Sequence, residues 1–392
     1  MNIPEQLAHL AAPPVAAREV SARLIELIRT EIRRKGGWIG FARYMELALY
    51  APGLGYYSGG ARKLGAAGDF VTAPESSALF GRTLARQIAQ VIGAGFDHVL
   101  EFGAGSGALA ADLLLELDAL GAAPQRYSIL EPSPDLRERA RATIERRAAG
   151  ALPRVEWLQA LPRRFTGIVV ANEVLDAMPA HAVHVRSGRI EELGVVESAG
   201  ANPFAWSARP AGRELAEAAA ALRLPEGYCT EISLAARGWM RSLGDLLERG
   251  AILIADYGFP AHEYYHPQRA GGTLMCHYRH HAHPDPLCLV GLQDISVHVD
   301  FSALADAACA SGLDLLGYAT QAQFLINCGI TALLAQTPAE DSATYLPLAA
   351  QAQRLLSPAE MGELFKVIAF GKGIGQALIG FTRGDRSHTL RP

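Results

Sequence analysis

The residues best suited to chemistry in this 392-residue chain are carboxylates placed around a run of glycines. In the segment HVLEFGAGSGALA, an apolar stretch ends in Glu101. Three glycines then open a helical pattern, at Gly103, Gly105 and Gly107. Glycines let the backbone turn sharply and lie against a ligand where a Cβ would interfere. Glu131 ends the next apolar stretch, where a carboxylate can accept hydrogen bonds from both hydroxyls of a ribose. This pattern predicts a site for a nucleoside-containing cofactor.

Two cofactor classes fit the glycine pattern. Gly103, Gly105 and Ala108 satisfy GxGxxG/A, the fingerprint of dinucleotide binding. The longer pattern, acidic-x-Gly-x-Gly-x-Gly with Glu101 leading, matches class I S-adenosylmethionine (SAM) methyltransferases. In that class Glu101 would face the cationic methionine end of SAM, whereas the same carboxylate would repel the pyrophosphate of a dinucleotide. The third interpretation is an ordinary glycine-rich turn without a ligand. The spacing favours SAM and leaves the other two open.

A second polar cluster occurs in VVANEVLDAMP. Asn172 and Glu173 come just after an apolar strand, and Asp176 follows in the loop. Because the carboxyl ends of parallel strands meet at one edge of a sheet, these residues should face the same crevice as the glycines. In a class I methyltransferase, this position lies beside the transferred methyl group. The alternative is that Asn172 and Asp176 only cap helices.

The elements that must position these residues alternate between strands and helices. Five apolar stretches hardly alternate and are typical of strands buried on both faces: HVLEFG, RYSILEP, VEWL, GIVVAN and AILIADYG. Helical patterns separate them, so we predict an α/β fold with a parallel, doubly wound, Rossmann-like sheet. We expect an N-terminal helical region at 1–95 and a core at 96–392. The core would carry a β insert at about 180–210 and a His-rich insert at about 258–300.

Local signals refine two regions. Thr72-Ala-Pro-Glu75 fits a capping box, which predicts one helix from there to Gly93. A second capping box at Ser357-Pro-Ala-Glu360 predicts a helix through LFKVI, followed by a final strand at ALIGFTR.

Composition bounds the possible classes of function. Hydrophobic residues make up 50% of the chain, so disorder is excluded as its main state. The net charge is −4, which argues against nucleic acid as a partner. Five cysteines without CxxC spacing, no signal-peptide pattern and no integral membrane segment predict a cytoplasmic protein. CHYRHHAHP lacks the spacing of known metal motifs, so no metal site is predicted. We expect its histidines to line an acceptor site or to be solvated.

Several long motifs resemble one known family. They are KLGAAGDFVTAPESSALFG, LEFGAGSGALA, NEVLDAMPAH, LIADYGF and GGTLMCHYRHHAHPDPLCLVGLQDISVHVDF. From about residue 20 to 382 the chain resembles the MidA/NDUFAF7 family of SAM-dependent methyltransferases, the DUF185 group. The resemblance implies a class I methyltransferase core with added helical and insert regions. Mitochondrial members are assembly factors for respiratory complex I and methylate an arginine on one of its subunits.

The resemblance also assigns residues, including a GDF element at 68–70 and a QD element at Gln293-Asp294. The implied cofactor-binding residues are Gly68, Phe70, Thr72, Glu101, Gly103, Ala104, Gly105, Gly107, Glu131, Pro132, Asn172 and Glu173. The implied catalytic residues are Glu173, Asp69, Asp176 and Asp294. Carboxylates suit an arginine acceptor, because they bind a guanidinium bidentately and compensate its charge.

The expected function is therefore SAM-dependent methylation of a protein arginine linked to complex I assembly, with a complex I subunit as a possible partner. Two alternatives stay open at this point. One is a SAM-binding assembly chaperone without essential catalysis, and the other is an NAD-dependent oxidoreductase. The oligomeric state is not indicated by the sequence.

Overall fold

The computed structural model describes residues 12–59, 72–200 and 202–390. The helices are α1 (Val15–Arg34), α2 (Phe41–Tyr50), α3 (Ala73–Ser76), α4 (Ala78–Gly93), α5 (Ala108–Ala119), α6 (Pro134–Arg147), α7 (Arg213–Ala220), α8 (Leu234–Leu246), α9 (Ala261–Tyr264), α10 (Phe301–Ala310), α11 (Gln321–Asn327), α12 (Ile330–Leu334) and α13 (Ser342–Leu356). The strands are β1 (Ile39–Gly40), β2 (His98–Phe102), β3 (Arg126–Leu130), β4 (Val155–Leu158), β5 (Phe165–Asn172), β6 (His181–Arg186), β7 (Arg189–Glu197), β8 (Phe204–Pro210), β9 (Cys229–Ile232), β10 (Leu247–Phe259), β11 (Met275–Tyr278), β12 (His281–His283), β13 (Asp294–Ser296), β14 (Val299–Asp300), β15 (Asp314–Thr320) and β16 (Phe365–Lys372).

The chain divides into two compact units, each assembled from three segments. Unit 1 comprises Met1–Phe70, Leu175–Gly238 and His262–His298, and unit 2 comprises Val71–Val174, Trp239–Ala261 and Val299–Pro392. Among the described residues, no helix is long and apolar enough to cross a membrane.

Unit 2 contains an eight-stranded sheet in the order β15-β16-β10-β5-β2-β3-β4, with β14 beside β10. Strands β10, β5, β2, β3 and β4 run parallel, and β16 is antiparallel to both of its neighbours. Helices that include α4, α5 and α6 pack their apolar side chains into the core around this sheet. The predicted α/β fold with a Rossmann-like parallel sheet is confirmed.

The register of the parallel strands determines where the polar residues lie. Phe102, the last residue of β2, pairs with Leu130 on β3 and with Ala171 on β5. Asn172 in turn pairs with Ala255 on β10. Strands β2, β3 and β5 therefore end at nearly one level, at the same edge of the sheet, whereas β10 continues past this level to Phe259.

Two secondary-structure predictions in the C-terminal part of unit 2 are wrong. LFKVI is not helical, because Phe365–Lys372 forms the buried strand β16 between β10 and β15. A short apolar run is compatible with a helix or with a doubly buried strand, and here its neighbours in the sheet decide. ALIGFTR contains a single 3-10 turn at Ile379–Phe381 instead of a strand.

The predicted helix from Thr72 to Gly93 is broken at Ser77. Its φ of −163° and ψ of 130° end α3, and its hydroxyl caps α4 by accepting the amide of Leu79. Thr72 occupies the N-cap of α3 without a side-chain capping bond. The predicted capping box is therefore absent, and Glu75 binds elsewhere, as described below.

Unit 1 contains two antiparallel sheets. The first has the order β1-β7-β6-β9 with β8 beside β7, and includes the hairpin predicted at Ser187-Gly188. The second has the order β12-β11-β13 and is formed by part of the His-rich segment. Arg279 and His280 join β11 to β12 with positive φ at both residues, the requirement of a tight two-residue hairpin turn. Apolar residues of α1, α2 and both sheets form the core of this unit.

Candidate functional site

The turn between β2 and α5 is built from left-handed backbone. Gly103, Gly105 and Gly107 have φ of 65°, 55° and 81°, values at which a Cβ is strained. At Gly107 a Cβ would also lie 2.7 Å from backbone atoms of Ala140 on α6. Ala104, between Gly103 and Gly105, is buried. The glycines thus permit a compact turn whose last residue leads into the N-terminus of α5, where backbone N–H groups favour an anionic group.

Glu131 connects this turn to the end of β3. Its carboxylate accepts the amide of Gly105 at 3.2 Å and the amide of Ser133 at 2.9 Å. Burial raises the pKa of Glu131, and these two backbone hydrogen bonds oppose the rise. Pro132 beside it is exposed. A carboxylate held against a glycine turn in this way fits the ribose-binding role predicted for Glu131.

Glu101 lies one strand position before the turn and is 1% exposed. The Tyr127 hydroxyl donates a hydrogen bond of 2.7 Å to its carboxylate. Burial raises the pKa of Glu101 to about 7, the nearby charge of Glu131 adds to the rise, and the bond from Tyr127 opposes it. The buried carboxyl can therefore gain or lose a proton near neutral pH.

This pKa predicts how stability depends on pH. Between 4.5 and about 7 the folded cofactor-free chain binds a proton at Glu101 that the unfolded chain has released. The free energy of unfolding should therefore fall as pH rises through that window, by at most about 3 kcal/mol. Glu101→Gln should lack this contribution. Urea unfolding at pH about 5 and about 8 measures the difference. Glu248→Gln, at an exposed ion pair with Arg164, is the control. Equal pH dependence of wild type and Glu101→Gln would contradict the prediction.

Asn172 is the last residue of β5, and Glu173 follows it directly. Glu173 has φ of 51°, which is uncommon for a residue with a side chain. Its Oε1 accepts the backbone amide of Ala73 and the side-chain amide of Asn172, both at 3.2 Å. Asn172 Oδ1 is buried and has no hydrogen-bond partner among the described residues. A buried acceptor of this kind fits a group on a bound ligand, because leaving it unsatisfied costs free energy.

Sequence reasoning missed two acidic residues of unit 2. Glu75, assigned to a capping box, accepts instead a hydrogen bond from the hydroxyl of Ser106 in the glycine turn. Asp256 stands in the quoted motif LIADYGF but received no role. It is fully buried inside β10, one residue past the last pairing of that strand with β5, and its carboxylate accepts the amide of Val174. The signal for Asp256 was a charged residue in the otherwise apolar stretch AILIADYG.

The remaining predicted carboxylates, Asp176 and Asp294, lie in unit 1. They are 7% and 3% exposed. The Tyr57 hydroxyl donates a 2.8 Å hydrogen bond to Asp294. Burial raises the pKa of Tyr57 well above its ordinary value, and the charges of Asp294 and Asp176 add to the rise. Tyr50 stacks on Tyr57 with ring centroids 5.5 Å apart. The structure thus brings both carboxylates to one tyrosine pair.

Other predicted residues have different outcomes. Gly68, Asp69 and Phe70 lie outside the described residues. Gln293 is buried and donates hydrogen bonds to the carbonyls of Asp285 and Cys288, so it supports the backbone of its own loop. In the part of the chain that the structure describes, no group of three or more histidine, cysteine or acidic side chains is placed to hold a metal ion.

Comparison with known proteins identifies the family. The model of a family of S-adenosyl-L-methionine-dependent methyltransferases matches residues 81–319. The chain is 30% identical over 363 residues to the mitochondrial protein arginine methyltransferase NDUFAF7 of Danio rerio, covering 84% of this chain and 82% of that protein. This chain belongs to the MidA/NDUFAF7 family of SAM-dependent methyltransferases. Its cofactor is therefore SAM and not a dinucleotide.

Solved structures agree with the MidA/NDUFAF7 assignment. A Burkholderia thailandensis protein bound to S-adenosyl-homocysteine is 52% identical, with a TM-score of 0.94. The match covers 97% of this chain and 100% of that one. A native structure of a Burkholderia thailandensis protein, also 52% identical, has a TM-score of 0.91. S-adenosyl-homocysteine is the product left when SAM has given up its methyl group.

Proposed function

We propose that this MidA/NDUFAF7 family member methylates an arginine of a protein substrate. The observation that carries the proposal is the pair of buried carboxylates at one tyrosine pair: Asp294 accepts the Tyr57 hydroxyl at 2.8 Å beside the stacked Tyr50 ring, and the charge of Asp176 helps to raise the pKa of Tyr57. Two carboxylates beside an aromatic ring suit a planar cation, which can bind carboxylate oxygens and lie over a ring. The name of the relative from Danio rerio supports an arginine acceptor. The resemblance to complex I assembly factors makes a complex I subunit the first candidate substrate.

The cofactor site that we propose lies in unit 2. Gly103, Ala104, Gly105 and Gly107 would approach the methionine end of SAM through their backbone, as would Thr72 and Asn172 from neighbouring segments. Glu131, followed by Pro132, would accept the ribose hydroxyls. Glu101 would place negative charge near the cationic end of the cofactor. When bound, SAM supplies a methyl group that its sulfonium already activates.

The acceptor requires a different contribution. An arginine side chain stays protonated in proteins, so its nitrogen lone pairs are delocalised and poorly nucleophilic. A carboxylate bound to one side of the guanidinium localises electron density on the attacking nitrogen and stabilises the charge that remains. Glu173 is our first candidate for this role, because its carboxylate is fixed by the Ala73 amide and by Asn172. Asp69, Asp176 and Asp294 stay the other catalytic candidates that the family resemblance implies.

Transfer of labelled methyl groups tests the proposal. Purified chain is incubated with tritiated SAM and a lysate of host cells that lack this chain, and labelled protein is hydrolysed for amino-acid analysis. We expect the label in methylated arginine, and excess S-adenosyl-homocysteine should suppress it by competition. Label in small molecules only, or on another residue type, would contradict an arginine acceptor. If host cells regain complex assembly with a variant that cannot transfer methyl groups, the chaperone alternative replaces the enzymatic role.

A further inference from the structure

The backbone of Glu173 needs support from its surroundings. A φ of 51° lies in the left-handed region, which costs free energy for a residue with a Cβ. Such conformations persist where neighbouring groups hold them, and they cluster at functional sites. A neighbouring group must therefore hold the turn at 173–174 after β5.

Strand β10 supplies that support. Its pairing with β5 ends at Asn172 and Ala255. One residue further, the Glu173 amide donates to the carbonyl of Ala255 at 2.9 Å. At the following residue the Asp256 carboxylate takes the place of a backbone carbonyl, because its Oδ2 accepts the amide of Val174 at 3.2 Å. Side-chain pairing thus continues where the backbone ladder stops.

Asp256 is well suited to hold a fixed position. Its second oxygen, Oδ1, accepts the amide of Tyr257 at 2.9 Å, so the carboxylate bridges two backbone segments. Asp256 lies in a strand that has neighbours on both sides. On one side, the preceding residue Ala255 pairs with Asn172 of β5, and on the other side Asp256 itself pairs with Lys366 of β16. Both Asp256 and Lys366 are buried. Because Asp256 is fully buried and its two oxygens accept backbone amides, its carboxylate can hold the turn but does not reach a substrate in solvent.

We propose that Asp256 is a positioning residue for methyl transfer, which keeps Glu173 in its left-handed conformation and so aims the Glu173 carboxylate. The inference rests on the role proposed above for Glu173. It predicts that losing Asp256 displaces the Glu173 carboxylate while the glycine turn and Glu131 still bind SAM. A displacement of about 1 Å in a positioned group lowers a rate by about 10²-fold.

The test compares Asp256→Ala, Asp256→Asn, Glu173→Gln and the Asp256→Ala/Glu173→Gln double variant in the full chain. For each, the initial rate of tritium incorporation from saturating SAM into lysate protein is measured, with the Kd for SAM by calorimetry and the Tm. Asp256→Ala should lower the rate by about 10²-fold and leave the Kd nearly unchanged. Asp256→Asn keeps one acceptor oxygen and should fall between Asp256→Ala and wild type. The double variant should be no slower than Glu173→Gln. If Asp256 acts only by positioning the Glu173 carboxylate, its loss has no further effect once that carboxylate has been replaced.

Asp300→Ala is the matched control. Its carboxylate also accepts a backbone amide, that of Ala303 at the N-terminus of α10, within the same unit. Asp300→Ala should lower the Tm without lowering the rate. If Asp256→Ala does not fold, Asp256→Asn takes its place in the comparison.

Three results would overturn the inference. One is a full rate in folded Asp256→Ala or Asp256→Asn while Glu173→Gln is slow, which leaves the proposed function intact. Another is a double variant whose rate lies below that of Glu173→Gln by the same factor by which Asp256→Ala alone lies below wild type. The two residues would then contribute independently. The last is a full rate in Glu173→Gln, which removes the proposed role of Glu173 together with its positioning residue.

Discussion

Glu173→Gln should lower the rate of methyl transfer by about 10²- to 10³-fold while SAM still binds. The carboxamide is nearly isosteric and retains an oxygen for the Ala73 amide, so the local fold should persist. It lacks the negative charge that we assign to the guanidinium in the transition state. Loss of one such electrostatic contribution typically lowers a rate by about 10²- to 10³-fold. The rate of labelled-methyl incorporation and the Kd for SAM, measured by calorimetry on the same preparation, separate transfer from binding.

The matched control for this variant is Glu248→Gln. Glu248 lies in unit 2 and forms an exposed ion pair with Arg164, so the same chemical change there should leave the rate at the wild-type value. Unchanged turnover in Glu173→Gln would refute the catalytic role of Glu173. If Glu173→Gln also lost SAM binding, the role of Glu173 would be to bind the cofactor and not the acceptor.

Gly105→Val should abolish SAM binding. Gly105 has φ of 55°, where a β-branched side chain is strongly disfavoured, and its amide donates to Glu131. A valine would therefore displace the turn from Glu131 and place methyl groups where we expect the cofactor. Calorimetry should detect no binding at SAM concentrations about 100-fold above the wild-type Kd, equivalent to a loss of more than about 2.7 kcal/mol.

Gly121→Val separates the site from simple backbone strain. Gly121 also has positive φ, at 66°, and a Cβ there would meet no atom within 4 Å. It follows the C-terminus of α5, about 18 Å along the helix from Gly107. This control should lower the Tm and leave the Kd for SAM unchanged. Wild-type SAM binding by Gly105→Val would mean that the cofactor does not lie on this turn.

The parallel part of the fold could be predicted because its signals are local. HVLEFG and GIVVAN are apolar throughout, as doubly buried strands require, and Gly103 and Gly107 mark a turn that only glycine adopts without strain. Their strand ends share one level because parallel neighbours pair in register. These local patterns suffice to predict a cofactor-binding edge.

The parts that could not be predicted depend on contacts between distant residues. The strand at Phe365–Lys372 is decided by pairing with β10 and β15, not by its own pattern. Glu75 has the spacing of a capping residue, yet a serine 31 positions away takes its carboxylate. Tyr57 and Asp294 are 237 positions apart, so no local pattern could join them. The left-handed backbone of Glu173 is likewise visible only in three dimensions.

The most direct test of the central claim is peptide-level mass spectrometry after transfer from SAM that carries a deuterated methyl group. Lysate of cells lacking this chain is treated in parallel with wild type, Glu248→Gln and Glu173→Gln. We expect a heavy methyl group on an arginine nitrogen of one or a few proteins with wild type and Glu248→Gln, and at least about 10²-fold slower labelling of that arginine with Glu173→Gln. A heavy methyl group on no arginine, or labelling at the wild-type rate with Glu173→Gln, would contradict the proposed function.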